Sequence, residues 1–170
     1  MDFFTLTTIW GKRFYVFFIL FLKTRQIVRF GVTDNPTRLF VRQQLIEFTW
    51  DFDAKKVYLI HDGSGEFKYI NYKDFKTTNI KISANAPNMN AYCERFVKSA
   101  RNEAFDWFII FNEKQIRKIL KKYITYFNQK RLHQGISQEV PEGYTPQKQG
   151  KVVSHPVLWD LHHHYYRLAA

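Results

Sequence analysis

The first thirty-two residues do most to limit how the chain can fold. Three segments, Asp2 to Thr8, Phe14 to Leu22 and Gln26 to Val32, are rich in Phe, Val, Ile and Thr, and only Gly11-Lys12 and Lys23-Thr24-Arg25 separate the last two from what precedes them. Connections that tight join antiparallel neighbours, so a three-stranded meander is expected. The apolar run Phe14-Tyr15-Val16-Phe17-Phe18-Ile19-Leu20-Phe21-Leu22 has nine residues, well short of the ~20 that span a bilayer as a helix. It reads as a buried strand, and no membrane partner is expected. Asp2 leads the chain while Lys23 and Arg25 follow the apolar run, which is not the order of a secretory signal.

Beyond the meander the pattern becomes one of strands and helices. Asn35-Pro36 opens an expected helix that ends near Trp50, with Leu39, Val41, Leu45 and Phe48 at helical spacing. Lys56 to His61 reads as a short buried strand stopped by Asp62-Gly63-Ser64-Gly65, and Ile80 to Ser83 as another. A helix should begin at Asn88 or Asn90, good caps both, which puts Glu94 about one turn in. Asn112 should cap a long amphipathic helix whose inner face is Ile116, Ile119, Leu120, Tyr123, Ile124 and Phe127. Its other face carries Lys114, Arg117, Lys118, Lys121 and Lys122, either a solvated surface or one that tracks phosphates. From Ser137 onward, Pro141, Gly143, Pro146 and Gly150 mark a loop-rich tail with short strands. The expected organisation is a core over 1–136 and a tail over 137–170.

Charge and cysteine content narrow the setting. The chain has 26 Lys and Arg against 15 Asp and Glu, a formal net charge of +11, which favours a polyanionic partner, nucleic acid before anionic membrane. Cys93 stands alone, so no internal disulfide framework forms and a reducing compartment, the cytoplasm, is expected.

Three acids, Asp2, Asp62 and Glu94, come from separate elements, and converging carboxylates suit hard divalent cations. Taken singly each fits a plainer role: Asp2 an exposed acid, Asp62 a turn former before Gly63, Glu94 a helix-start acid favoured by the dipole. Their flanks single them out. Asp2-Phe3-Phe4-Thr5, Gly31-Val32-Thr33, His61-Asp62-Gly63-Ser64-Gly65-Glu66-Phe67 and Asn88-Met89-Asn90-Ala91-Tyr92-Cys93-Glu94-Arg95-Phe96 resemble the catalytic core of insertion-sequence transposases related to retroviral integrases. So do Tyr126-Phe127-Asn128-Gln129-Lys130-Arg131-Leu132-His133 and Leu161-His162-His163-His164-Tyr165-Tyr166. The resemblance implies an α/β, ribonuclease-H-like fold: a mixed five-stranded sheet flanked by helices, with an N-terminally truncated first strand.

The same resemblance implies a DDE-type polynucleotidyl transferase in which Asp2, Asp62 and Glu94 bind Mg2+ or Mn2+, two ions together, to cut and rejoin phosphodiesters. It implies DNA as partner, both element ends and target, a homo-oligomer in the synaptic complex, and a nucleoid-associated bacterial setting. Arg95, Lys98 and Arg101 follow Glu94 on its helix toward the path of the scissile phosphate. Lys118, Lys121, Arg131 and His133 are further candidate DNA contacts, the last two with packing as the other reading. The interval from Asp62 to Glu94, 94 − 62 = 32 positions, is slightly short for the family, and Met1 directly precedes Asp2 where the family has further strand residues. The alternative expectation is a truncated, non-catalytic remnant that binds nucleic acid. His162 and His164 are the only members of the histidine run that a strand would point to one side.

Overall fold

A computed structural model describes residues 1–51, 57–81, 90–143, 145 and 147–168. The expected meander is present: β1 (Asp2–Thr7), β2 (Arg13–Leu20) and β3 (Ile27–Thr33) pair antiparallel in that order. The register runs from Asp2 opposite Phe18 to Thr7 opposite Arg13, and from Tyr15 opposite Thr33 to Leu20 opposite Ile27. β2 is central and covered on both faces, which is why its sequence is almost wholly apolar. Val16, Phe18 and Leu20 enter one hydrophobic cluster, while Phe17 and Ile19 enter another.

The second cluster is completed by α1 (Arg38–Asp51) and β4 (Val57–His61) through Val41, Leu45, Phe48 and Leu59. α1 starts later than Asn35-Pro36 suggests, because the Thr37 hydroxyl accepts the Phe40 N–H at 3.2 Å and so acts as the cap. Leu39 then falls outside the inward stripe and is 71% exposed. The position at Gln44 joins Val41, Leu45 and Phe48 on the buried side instead.

β5 (Thr77–Lys81) pairs parallel with β4, from Val57 opposite Thr77 to His61 opposite Lys81. It therefore begins before Ile80, and positions 82 and 83 of the expected strand lie outside the described residues. All five strands of the ribonuclease-H-like core are present, yet they form two hydrogen-bonded sheets, β1-β2-β3 and β4-β5. Among the described residues they are linked by a bond from the Met1 nitrogen to the Ile60 carbonyl at 2.7 Å.

The other cluster is roofed by α2 (Ala91–Glu103) and α3 (Glu113–Gln129). α2 buries Cys93, Phe96 and Ala100, and α3 buries the apolar face expected of it. The Asn112 side chain caps α3 by accepting the Gln115 N–H at 2.9 Å. The tail adds a hairpin, β6 (Val152–Val157) and β7 (His162–Arg167), whose turn residue Leu158 lies inside the α2–α3 cluster. Among the described residues no helix is long and apolar enough to cross a membrane.

Candidate metal and nucleic-acid site

Where the two sheets meet, the Met1 nitrogen bonds the Ile60 carbonyl, and one residue further Asp2 comes within electrostatic reach of Asp62. Asp2 is half-buried, and its carboxyl titrates above the usual carboxylate range. Burial is the main cause; the Asn90 and Phe3 hydrogen bonds oppose it, and the Asp62 charge adds to it. Asn90 Nδ2 donates to Asp2 Oδ2 at 2.7 Å, and the Phe3 N–H to Oδ1 at 2.7 Å. Asn90 thus sits at the N-cap of α2 without capping it by its side chain; it reaches β1 instead.

Asp62 is exposed, at the end of β4, and its Oδ1 accepts the Ser64 N–H at 2.9 Å. Its loop is braced from below by a directed chain. The Gly63 N–H donates to His61 Nδ1 at 3.0 Å, which leaves Nε2 to carry the ring proton facing Tyr72 Oη at 3.4 Å. Tyr72 in turn donates to the Phe67 carbonyl at 3.1 Å. His61 is buried with its pKa lowered mainly by burial, and the Tyr72 phenol is pushed up to about 12 by burial. Both groups therefore stay neutral near pH 7. Gly63 has φ +78°, which favours glycine, and the Lys81 side chain packs over the space a Cβ would enter.

Glu94 is exposed in the first turn of α2, four residues after Asn90 and hence on the side of the helix that Asn90 directs at Asp2. All three acids offer hard oxygen donors that match Mg2+ or Mn2+ in chemistry. Asp2 feels the charge of Asp62, as a contribution smaller than its own burial. Among the described residues no three His, Cys, Asp or Glu side chains are drawn into a metal-holding group. Asp2 and Asp62 could hold a cation that relieves their mutual repulsion, and Glu94 stands one helical turn from the Asn90 that touches Asp2.

The candidate DNA contacts divide by what already occupies them. Arg95, Lys98 and Lys121 are exposed, and Lys118 is exposed with its ammonium 5.3 Å from the Trp159 ring. Arg101 donates to the Thr5 carbonyl at 2.5 Å and tethers α2 to β1. Arg131 grips both carboxylate oxygens of Glu103, at 2.6 and 2.8 Å, and Tyr123 donates to the same carboxylate. His133 is buried against Phe127, its Nε2 3.0 Å from the Phe127 carbonyl. The structure thus gives Arg131 and His133 a packing role. His162 stacks on Tyr126 with ring centroids 4.9 Å apart and faces the Glu103 carbonyl at 2.6 Å, while His163 lies on the opposite face near Asp160.

Two participants escape sequence reasoning. Asn90 reads as a cap, and only the fold reveals that its partner lies 88 positions away. Lys81 carries no motif, but its register opposite His61 on parallel β4 and β5 lays its side chain over Gly63, the residue after Asp62. Knowing that pairing would have found it.

Comparison with known proteins agrees with this architecture. Residues 76–141 match the family model described as Integrase core domain, a span that includes Glu94 but neither aspartate. No curated protein matches the chain. Among solved structures, the catalytic core domain of BIV integrase superposes with a TM-score of 0.60 at 12% identity, over 82% of this chain and 88% of that one. The chain is therefore integrase-core-like: its segment 76–141 matches that family in sequence, and its fold is that of a retroviral integrase catalytic core.

Proposed function

We propose that the chain is the catalytic domain of a DNA integrase or transposase, cutting and joining phosphodiesters with Mg2+ or Mn2+ held by Asp2, Asp62 and Glu94. The observation that carries this reading is the Asn90–Asp2 hydrogen bond of 2.7 Å, which docks the start of α2, with Glu94 in its first turn, onto the first acid. Held by these three carboxylates, divalent cations would supply Lewis acidity for phosphodiester chemistry. The chain's own residues set the stage for it. His61 and Tyr72 hold the loop that presents Asp62. Lys98, one turn beyond Glu94 on the same side of α2, and the neighbouring Arg95 offer exposed cations to the DNA backbone. Lys81, whose side chain lies over Gly63, adds a third cation.

The test is Mg2+-dependent strand transfer with duplex oligonucleotides carrying the element's ends. Asp62→Asn and Glu94→Gln should each abolish joining while leaving metal-free DNA binding intact. Joining that survives Glu94→Gln overturns the ligand assignment. A second reading, DNA binding without catalysis, is favoured by one observation: Asn90 occupies an oxygen of Asp2, and no three acids are grouped among the described residues. Steeply salt-dependent DNA binding with no metal-dependent cleavage would select it.

A further inference from the structure

The flank of α2 turned away from Glu94 borders a cavity of its own. Tyr92, Arg95, Phe96 and Ser99 recur at the three- and four-residue spacing that shares one side of a helix, and all four line a cavity of about 340 Å³. Glu94 and Lys98 fall on another side of α2, so the cavity stands apart from the acids by up to the ~10–12 Å width of a helix. Arg25, from the turn after β2, and Gln138, from the loop after α3, form the opposite wall. Phe96 and Phe127 give it an aromatic floor, their rings meeting edge to face at 5.1 Å. Among the described residues that line it there is no aspartate or glutamate. Arg25 is fixed in place by backbone and side chain together. Its φ is +67°, its N–H donates to the Phe21 carbonyl at 2.8 Å, and its guanidinium donates to the Leu22 carbonyl while lying 3.6 Å from the centre of the Tyr92 ring. Gln138 is left-handed as well, with φ +64°. Two non-glycine residues held in that region on one cavity wall are the kind of stored strain that ligand clamps carry.

We infer that this cavity takes one unpaired nucleotide, its base against the aromatic and guanidinium surfaces and its phosphate on Arg25 and Arg95. Three features select that ligand. The cations are arginines without an acid in the lining, and the Arg25 guanidinium keeps N–H donors beyond the one given to Leu22. Flat surfaces surround the space, and both aromatic rings and arginine planes stack nucleobases; a bare inorganic anion or an aliphatic acid would leave them uncovered. The amides of Gln134 and Gln138 at the rim both donate and accept, which suits the polar edge of a base. Size then decides between paired and unpaired: about 340 Å³ is at the small end of sites for single small ligands and does not admit a duplex. Arg95 and Lys98, exposed on the outer side of α2, mark the path by which a strand crosses from Glu94 to the cavity. The inference rests on the DNA reading above for its partner and not on the metal ligands. A free nucleotide offers the same chemistry as an unpaired unit of a strand, and the two sources are separable.

The test is fluorescence anisotropy with the full chain in EDTA at low salt. Duplexes of one sequence carry a dye at one end and, at the other, a blunt end, a short single-stranded overhang, or the same overhang built from abasic sites; 2-aminopurine deoxynucleoside monophosphate serves as the free nucleotide. The overhang should bind roughly tenfold tighter than the blunt end, the gain expected from stacking one base, and the abasic overhang should lose that gain. Gly135→Leu should bring the ratio back to about one, because Gly135 lines the cavity and a Cβ there stands 4.0 Å from Arg25 Nε. Tyr92→Leu, which removes the platform beneath Arg25, should do the same. Binding of the free nucleotide that both variants abolish, with no difference between duplex ends, keeps the site and makes its source a nucleotide in solution. Blunt and overhang duplexes that bind alike, with no binding of the free nucleotide, overturn the proposal and leave DNA as the partner. Failure of every duplex and of the nucleotide overturns both readings. An abasic overhang that keeps the full gain makes this a phosphate site alone, and a gain that survives both variants places the base elsewhere; either result overturns the proposal.

Discussion

At the scale of single residues, the site is held by groups whose protonation is shifted, and these shifts are measurable. Burial raises the pKa of Asp2, and the like charge of Asp62 adds to the rise. Asp62→Asn should lower the Asp2 titration midpoint, read by NMR of the carboxyl carbon; an unmoved midpoint would show that the two acids do not communicate. His61, His133 and His164 are each depressed below the ordinary 6.5, mainly by burial. Their native state binds fewer protons than the unfolded chain between those lowered values and 6.5, so stability rises with pH across that window and is flat above it. Asp2 has the opposite sign lower down: raised above 3.8, it disfavours the native state as pH climbs through its window. Thermal unfolding should therefore show a midpoint that is level above pH 6.5 and falls on acidification below it. His133→Gln, which keeps a donor for the Phe127 carbonyl without titrating, should make that fall shallower.

At the scale of elements, what could be read from the sequence was what local periodicity encodes. The inner face of α3, the Asn112 cap and the burial of β2 each follow from residues a few positions apart. The start of α1 was misplaced because Asn35-Pro36 and Thr37 are both good start signals two residues apart, and only the Thr37 hydroxyl finds the right N–H. The partners of Asn90 and Lys81 were illegible because they lie across the fold. The same holds for Asn128, inside a segment recognised by its resemblance but without an assigned role. Its side chain accepts the Ile27 N–H and donates to the Ile27 carbonyl, both at 2.9 Å, clamping the end of α3 to the start of β3. Both bonds are buried. Asn128→Ala would leave two backbone groups unpaired at about 1–3 kcal/mol each, so equilibrium denaturation should report a loss on the order of 3 kcal/mol or more. A loss well under 1 kcal/mol would mean water replaces the amide.

For the whole molecule, the +11 formal charge supports a polyanionic partner, but charge alone does not say which cations face it. Local bonding separates them. Arg101 and Arg131 hold backbone and carboxylate partners inside the chain, whereas Lys98 and Lys121 are exposed on α2 and α3. A cation that meets a phosphate releases counterions from DNA and steepens the salt dependence of binding by about 0.9 per contact. A cation committed to an internal carboxylate does not. Lys98→Ala and Lys121→Ala should each weaken duplex binding and flatten the plot of log K against log salt by about 1, with unchanged thermal stability. Arg131→Ala should do the reverse. Its loss strands the Glu103 carboxylate that Tyr123 also contacts, so the melting temperature falls while the salt slope of the remaining folded protein holds. The comparison is made by fluorescence anisotropy over a salt series, below the melting point of every variant. If Arg131→Ala flattens the slope as much as Lys98→Ala, the arginine leaves Glu103 when DNA binds, and its packing role belongs to the free protein alone.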